Sequence, residues 1–246
     1  MKFKFIAAPR SGRLEQITSW IREESENSGC GFYCNITVIN KAFADKEVVC
    51  VTAKNEAIGF AVITRHTYTA RIDIAEICPA HRGTGAGRFL VENCLQALAK
   101  CKVRVVDLEC APKSSESFWQ HMGFSRVPDE ILKNYSQYNK PIRMFRPTCQ
   151  TQPQKTLHDT SQNTIELFDC EPWACERREA RWSWPVFTLN GTQFLDKPII
   201  YPAHRDWCVR WKKEDKTIKV DKVKHFCDDS FKCGNFLILT QLPQVS

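Results

Sequence analysis

No apolar run in this 246-residue chain approaches the ~20 residues that a membrane helix needs, so no membrane span is expected. Met1 to Pro9 is too short, and too soon interrupted by charge, to be the apolar core of a secretory signal, which makes the expected location cytoplasmic. Glycine is scarce, at 10 residues, which excludes collagen-like sequence, and a 43% hydrophobic, 26% charged composition excludes a disordered polyampholyte. The 13 cysteines include no Cys-x-x-Cys pair. An odd, scattered set in a chain long enough to bury a core without staples reads as reduced thiols. For the same reason Cys170, Cys175, His204, Cys208, His225, Cys227 and Cys233 lack the spacing of a zinc site, and no metal is expected.

The net charge is +7, and it is unevenly placed. Residues 1–147 carry 21 Lys and Arg against 15 Asp and Glu; residues 148–246 carry 14 against 13. Between them, residues 148–164 are rich in Gln and Thr with few large apolar residues, which predicts a linker between a first domain (1–147) and a second (165–246). In the first, Lys2 to Ala8 alternates like a strand, and Leu14, Ile17 and Ile21 recur at helical spacing until Asn27-Ser28-Gly29. Phe32, Ile36, Ile39 and Phe43 predict a second helix, followed by a hairpin of Glu47 to Thr52 and Ala57 to Thr64 around Lys54-Asn55-Glu56. Arg71 to Cys78 predicts a strand ended by Pro79, and Leu90, Val91, Cys94, Leu95 and Leu98 form the buried face of a helix. Val103 to Cys110 reads as a strand, Ser115 as the cap of a short helix ended by Gly123, and Ile142 to Phe145 as a closing strand. The order is mixed α/β. The second domain, with short alternating runs at Val186 to Leu189, Trp207 to Trp211 and Phe236 to Leu239, reads as β-rich, and Asn190-Gly191 as a tight hairpin turn.

The segment Arg82-Gly83-Thr84-Gly85-Ala86-Gly87-Arg88 lies between a strand and a helix, where free backbone N–H groups and the helix dipole attract an anion. Arg82 and Arg88 could pair with phosphate oxygens, so a pyrophosphate is the natural ligand. The Gly-Lys-Ser/Thr ending of a nucleotide-binding P-loop is missing, and a dinucleotide fingerprint should open the first strand–helix unit of a parallel sheet, which this segment does not. Ile77-Cys78-Pro79-Ala80-His81-Arg82-Gly83-Thr84-Gly85-Ala86-Gly87 instead resembles the signature of the GNAT superfamily of acyl-CoA-dependent N-acyltransferases, Gln/Arg-x-x-Gly-x-Gly/Ala after the fourth strand. The resemblance extends over residues 1–147 and includes Phe118-Trp119-Gln120-His121-Met122-Gly123-Phe124, similar to the family's aromatic-x-x-x-Gly-Phe ending of the last helix.

That resemblance implies a GNAT-like fold with a splayed central sheet, and acetyl-CoA or another acyl-CoA as co-substrate. Its pyrophosphate would lie on Arg82, Gly83, Thr84, Gly85, Ala86, Gly87 and Arg88, and its pantetheine arm along the Ile77 backbone. An amine, from a small molecule or a protein, would attack the thioester directly in a ternary complex, which requires a base for the ammonium proton. Glu76 and Asp73 are the candidate bases, with Glu109 on the next strand behind them. The two point to opposite faces of a regular strand, so at most one should face the acceptor unless a bulge intervenes. Where the family often has a tyrosine acid this chain has Trp119, whose indole donates a hydrogen bond but no proton at neutral pH; it orients the sulfur or packs. His121 projects elsewhere around the helix.

Two rival readings remain open at this stage. Trp173, Trp182, Trp184, Trp207 and Trp211 with Arg177, Arg178, Arg181, Arg205, Arg210, Lys212 and Lys213 could form a base-stacking, phosphate-neutralising surface, making the chain a nucleic-acid or aminoacyl-tRNA modifying enzyme. Trp119 in the acid slot would instead suit a non-catalytic acyl-CoA sensor or scaffold.

Overall fold

Strand pairing in the first half of the chain follows from alternating β-branched residues, and its turns from residues that tolerate left-handed backbone. The computed structural model describes residues 2–133, 140–156, 163–189, 192–214, 216–226 and 233–244. Two compact units result, one of residues 1–66, 70–125 and 142–148, the other of residues 67–69, 126–141 and 149–246.

The first unit runs β1 (Phe3–Ile6), α1 (Ser11–Ser28), α2 (Ile36–Ala44), β2 (Val48–Ala53), β3 (Glu56–Arg65), β4 (Thr69–Ile77), α3 (Ala86–Lys100), β5 (Val105–Glu109), α4 (Glu116–His121), β6 (Ser125–Arg126) and β7 (Arg143–Pro147). The strands form one sheet in the order β1-β2-β3-β4-β5-β7-β6. Lys54 and Asn55, at φ 46° and 66°, make the tight turn between β2 and β3. This is the mixed α/β architecture expected from the sequence. Ser115 precedes α4 without capping it, because its hydroxyl donates to the Pro112 carbonyl at 2.8 Å.

Each face of the sheet buries its own core. Leu90, Val91, Cys94, Leu95 and Leu98 of α3 pack with Ile58, Ala61, Ile63, Ile72, Val106 and Leu108, while Ile17 and Ile21 of α1 and Ile39 of α2 pack with Val48, Cys50, Phe60, Val62 and Ile74. A β-bulge changes the phase of β4: Ile63 pairs with Ile72 but Val62 with Ile74, leaving Asp73 as the extra residue. Ala70 and Ile72 therefore face α3, whereas Ile74 faces α1 and α2.

The second unit holds a four-stranded sheet in the order β12-β11-β8-β9 and a two-stranded β10-β13 ribbon. Its strands are β8 (Asn163–Phe168), β9 (Trp182–Pro185), β10 (Phe194–Pro202), β11 (Cys208–Lys213), β12 (Lys216–Lys222) and β13 (Phe236–Gln241). The last residues of the expected linker thus lie in β8, and residues 126–141 fall in this unit. Val186 to Leu189 contributes only the isolated bridge Thr188 to Leu195, and Asn190-Gly191 lies outside the described residues. Trp184, Trp207 and Trp211 are buried. Arg210 and Lys212 pair with Glu166, Arg178 and Arg181 with Asp169, and Lys222 and Lys224 with Asp206. These three tryptophans and these cations are engaged within the unit, whereas Trp173 of the same set is 82% exposed and Trp182 half-buried. Among the described residues no helix is long and apolar enough to cross a membrane.

Candidate active site

The glycine-rich segment forms the turn into α3. Gly83 and Gly85 adopt φ 74° and 89°, and a Cβ built on either meets no atom within 4 Å. Gly85 is the N-cap of α3, and the first intrahelical bond runs from Phe89 N–H to Gly85 C=O at 3.0 Å. The N–H groups of Ala86, Gly87 and Arg88 consequently have no intrahelical acceptor, which is the arrangement that binds an anion at a helix start. Thr84 steadies the turn by donating from Oγ1 to the His81 carbonyl at 2.6 Å. Gly87 lies under Phe118, whose ring would stand 3.4 Å from a Cβ there. Arg88 is exposed in the first turn of the helix.

Arg82 does not extend toward those free N–H groups. Its Nε donates to the Ile77 carbonyl at 2.9 Å, and its Nη2 contacts Glu24 Oε1 at 2.6 Å and Glu76 Oε1 at 3.5 Å. Cys78 N–H donates to Ile58 C=O, so Ile77 sits opposite Gly59 with its own N–H and C=O turned away from β3.

Glu76 faces the α1 side, opposite Phe60 in the strand register, and is 8% exposed. Burial is the largest cause of its raised pKa, about 7 against an ordinary 4.5; the charge of Glu24 adds to it, and Arg82 and the Phe32 backbone N–H pull the other way. Gly31, at φ 87°, passes over both carboxyls, where a Cβ would lie 3.3 Å from Glu24 Cδ and from Glu76 Oε1. A side chain there would crowd both carboxyls and strain the backbone at that φ.

Asp73 stands apart from this cluster. It is exposed, accepts from Thr64 Oγ1 at 2.7 Å, and lies 3.5 Å from Arg71, which also reaches Glu109 at 3.8 Å. Asp73→Asn is therefore expected to leave any acyl transfer within about twofold and stability within about 0.5 kcal/mol, a pair that initial rates and thermal melts check. Trp119 is buried in the α3-side core, edge-on to Phe118 and Phe124 with ring centroids 5.1 and 5.3 Å away. His121 is exposed, its Nδ1 2.6 Å from the Ser117 carbonyl.

Glu24 is the residue that the sequence pattern left unremarked. The signal was present, because Leu14, Ile17, Ile21 and Glu24 follow the steps of three, four and three that place a residue on the buried stripe of α1. A carboxylate at a core position of a helix demands a partner, and here it has Arg82.

Residues 26–140 match the family model described as the acetyltransferase (GNAT) domain. Over that stretch the chain is similar to a GNAT acetyltransferase domain. No curated protein sequence matches the chain. Among solved structures, the chain is similar to Ard1 from Thermoplasma volcanium, 18% identical over 61% of this chain and 100% of that one, with a TM-score of 0.47. The N-acetylglutamate synthase from Neisseria gonorrhoeae, solved with coenzyme A and N-acetyl-glutamate, is 13% identical over 61% of this chain and 36% of its own, with a TM-score of 0.49. The ribosomal-protein-S18-alanine N-acetyltransferase from Escherichia coli is 15% identical over 61% and 96%, with a TM-score of 0.42.

Proposed function

We propose that the chain is an acetyl-CoA-dependent N-acetyltransferase in which residues 1–147 catalyse direct transfer to a primary amine and residues 165–246 are accessory. The observation that carries this reading is Glu76: a buried carboxyl with a pKa of about 7, close to the glycine-rich turn. A general base works best when its pKa lies near the working pH, and an acceptor ammonium must lose a proton before its nitrogen can attack. When bound, acetyl-CoA supplies the thioester carbonyl and a thiolate leaving group. The N–H groups of Ala86, Gly87 and Arg88 would hold its pyrophosphate, and the open space at Gly83 and Gly85 admits the phosphate oxygens. Glu76 takes the ammonium proton in its ionised form. Trp119 offers no acid to the thiolate, so that proton comes from water.

Calorimetric titration with acetyl-CoA and CoA is expected to give micromolar binding. With an accepting amine found by screening, CoA release should rise with pH through a midpoint of about 7, since Glu76 is neutral and inert below that value and ionised above it. No binding heat for either ligand, together with no CoA release from any amine, overturns the proposal.

A further inference from the structure

Arg82 opens the glycine-rich loop, yet its guanidinium lies between two carboxylates contributed by separate elements. Glu24 of α1 and Glu76 of β4 have side chains only 7% and 6% exposed. In each, the Oε2 atom is buried without a hydrogen-bond partner. Two adjacent buried carboxyls need a shared proton or a cation between them, because each isolated charge costs several kcal/mol to desolvate. Arg82 supplies the cation imperfectly: one Nη2 serves both Oε1 atoms, where a forked guanidinium–carboxylate pair would satisfy both oxygens of one partner. Half of the Arg82 side chain is exposed, so it can swing away without dismantling packed core. Beside it lies a cavity of about 480 Å³, bordered by Trp20, Glu23, Glu24, Asn27, Cys78 and Arg82.

We infer that the Glu24 and Glu76 carboxyls form a cation subsite for the primary ammonium of the acceptor, and that Arg82 fills this subsite until the acceptor displaces it. An ammonium carries three donors on one compact centre, which suits oxygens that a planar guanidinium leaves unmet. The carboxyls thereby select amines that arrive protonated, and Glu24 is a positioning residue that holds the ammonium against Glu76. This assignment rests on the acyl-transfer reading, in which Glu76 then takes the proton.

The test uses the full chain labelled with glutamate carrying carbon-13 at the side-chain carboxyl, its Glu24 and Glu76 resonances assigned from Glu24→Gln and Glu76→Gln. It is titrated with n-propylammonium chloride, and separately with tetramethylammonium chloride, which has the same charge but no N–H, in the absence of any acyl-CoA. Expected is a saturable shift of both resonances with n-propylammonium only, and a midpoint at least tenfold lower in Arg82→Gln and in Arg82→Met. A response no different between the two salts sinks the subsite, and so does an unchanged midpoint in an Arg82 variant whose amide spectrum shows it folded. Should both Arg82 variants fail to fold, the comparison of the two salts on the unaltered chain decides alone. Acetyl-CoA binding with no n-propylammonium response overturns the subsite and spares the transferase reading; a selective response in a chain that takes up no acetyl-CoA does the reverse.

Discussion

Gly85→Asp is expected to weaken acetyl-CoA binding by at least about 100-fold, from micromolar to undetectable by calorimetry. Two effects add. The new carboxylate would stand at the N-cap of α3 and turn toward the free N–H groups of Ala86, Gly87 and Arg88, occupying from within the position that the pyrophosphate needs. It would also repel the pyrophosphate, and like charges about 4 Å apart near a protein surface cost roughly 4 kcal/mol per pair of unit charges. The substitution should still fold, because a Cβ at residue 85 meets nothing within 4 Å, and its φ of 89° adds only about 1–2 kcal/mol of backbone strain. Gly85→Ala carries the same strain without the charge and is the control. If Asp binds acetyl-CoA as tightly as Ala does, the anion site lies elsewhere.

Glu76→Gln separates chemistry from stability in opposite directions. Transfer should slow by about 10²–10⁴-fold with acetyl-CoA affinity unchanged, the range lost when a positioned base is removed. Folding should at the same time become stronger above neutral pH. In the folded chain Glu76 keeps its proton up to about 7, whereas an unfolded chain releases it near 4.5, so the native form is penalised increasingly as pH rises from 4.5 to 7 and by the full amount above. Glutamine stays neutral throughout, and its NH₂ can donate to the unpaired Oε2 of Glu24. The variant should therefore exceed the parent by on the order of 2 kcal/mol at pH 8 and by little at pH 4, as read from denaturant melts at the two values. An equal stability difference at both would show that Glu76 ionises normally; full turnover would show that another group is the base.

The sequence was legible wherever a single segment decides its own structure. The hairpin at Lys54-Asn55, the buried stripe of α3 and the glycine turn before it each depend on local periodicity or on backbone that only certain residues adopt. What escaped were pairings between segments. Glu24 lies in Arg-Glu-Glu-Ser-Glu, which reads as a solvated helix face, and its burial depends on packing against the strand that carries Glu76. Arg82 opens the glycine-rich motif, but nothing in the motif says that its guanidinium lies between two carboxylates. Residues 126–141, nearly all of them inside the stretch that matches the GNAT domain, belong to the second unit because long-range contacts outweigh chain continuity.

The bulge at Asp73 makes the face that Glu76 occupies a matter of odd and even. Counted by twos from Ala70 through Ile72, residue 76 would fall on the α3 side, beneath an apolar helix and away from Glu24. The one extra residue reverses the count, so that Ile74 and then Glu76 meet α1. Asp73 therefore matters through the length it adds to the strand rather than through its carboxylate. Substitutions there should be silent to the proposed chemistry, whereas loss of a single residue from β4 would turn the same glutamate inside out.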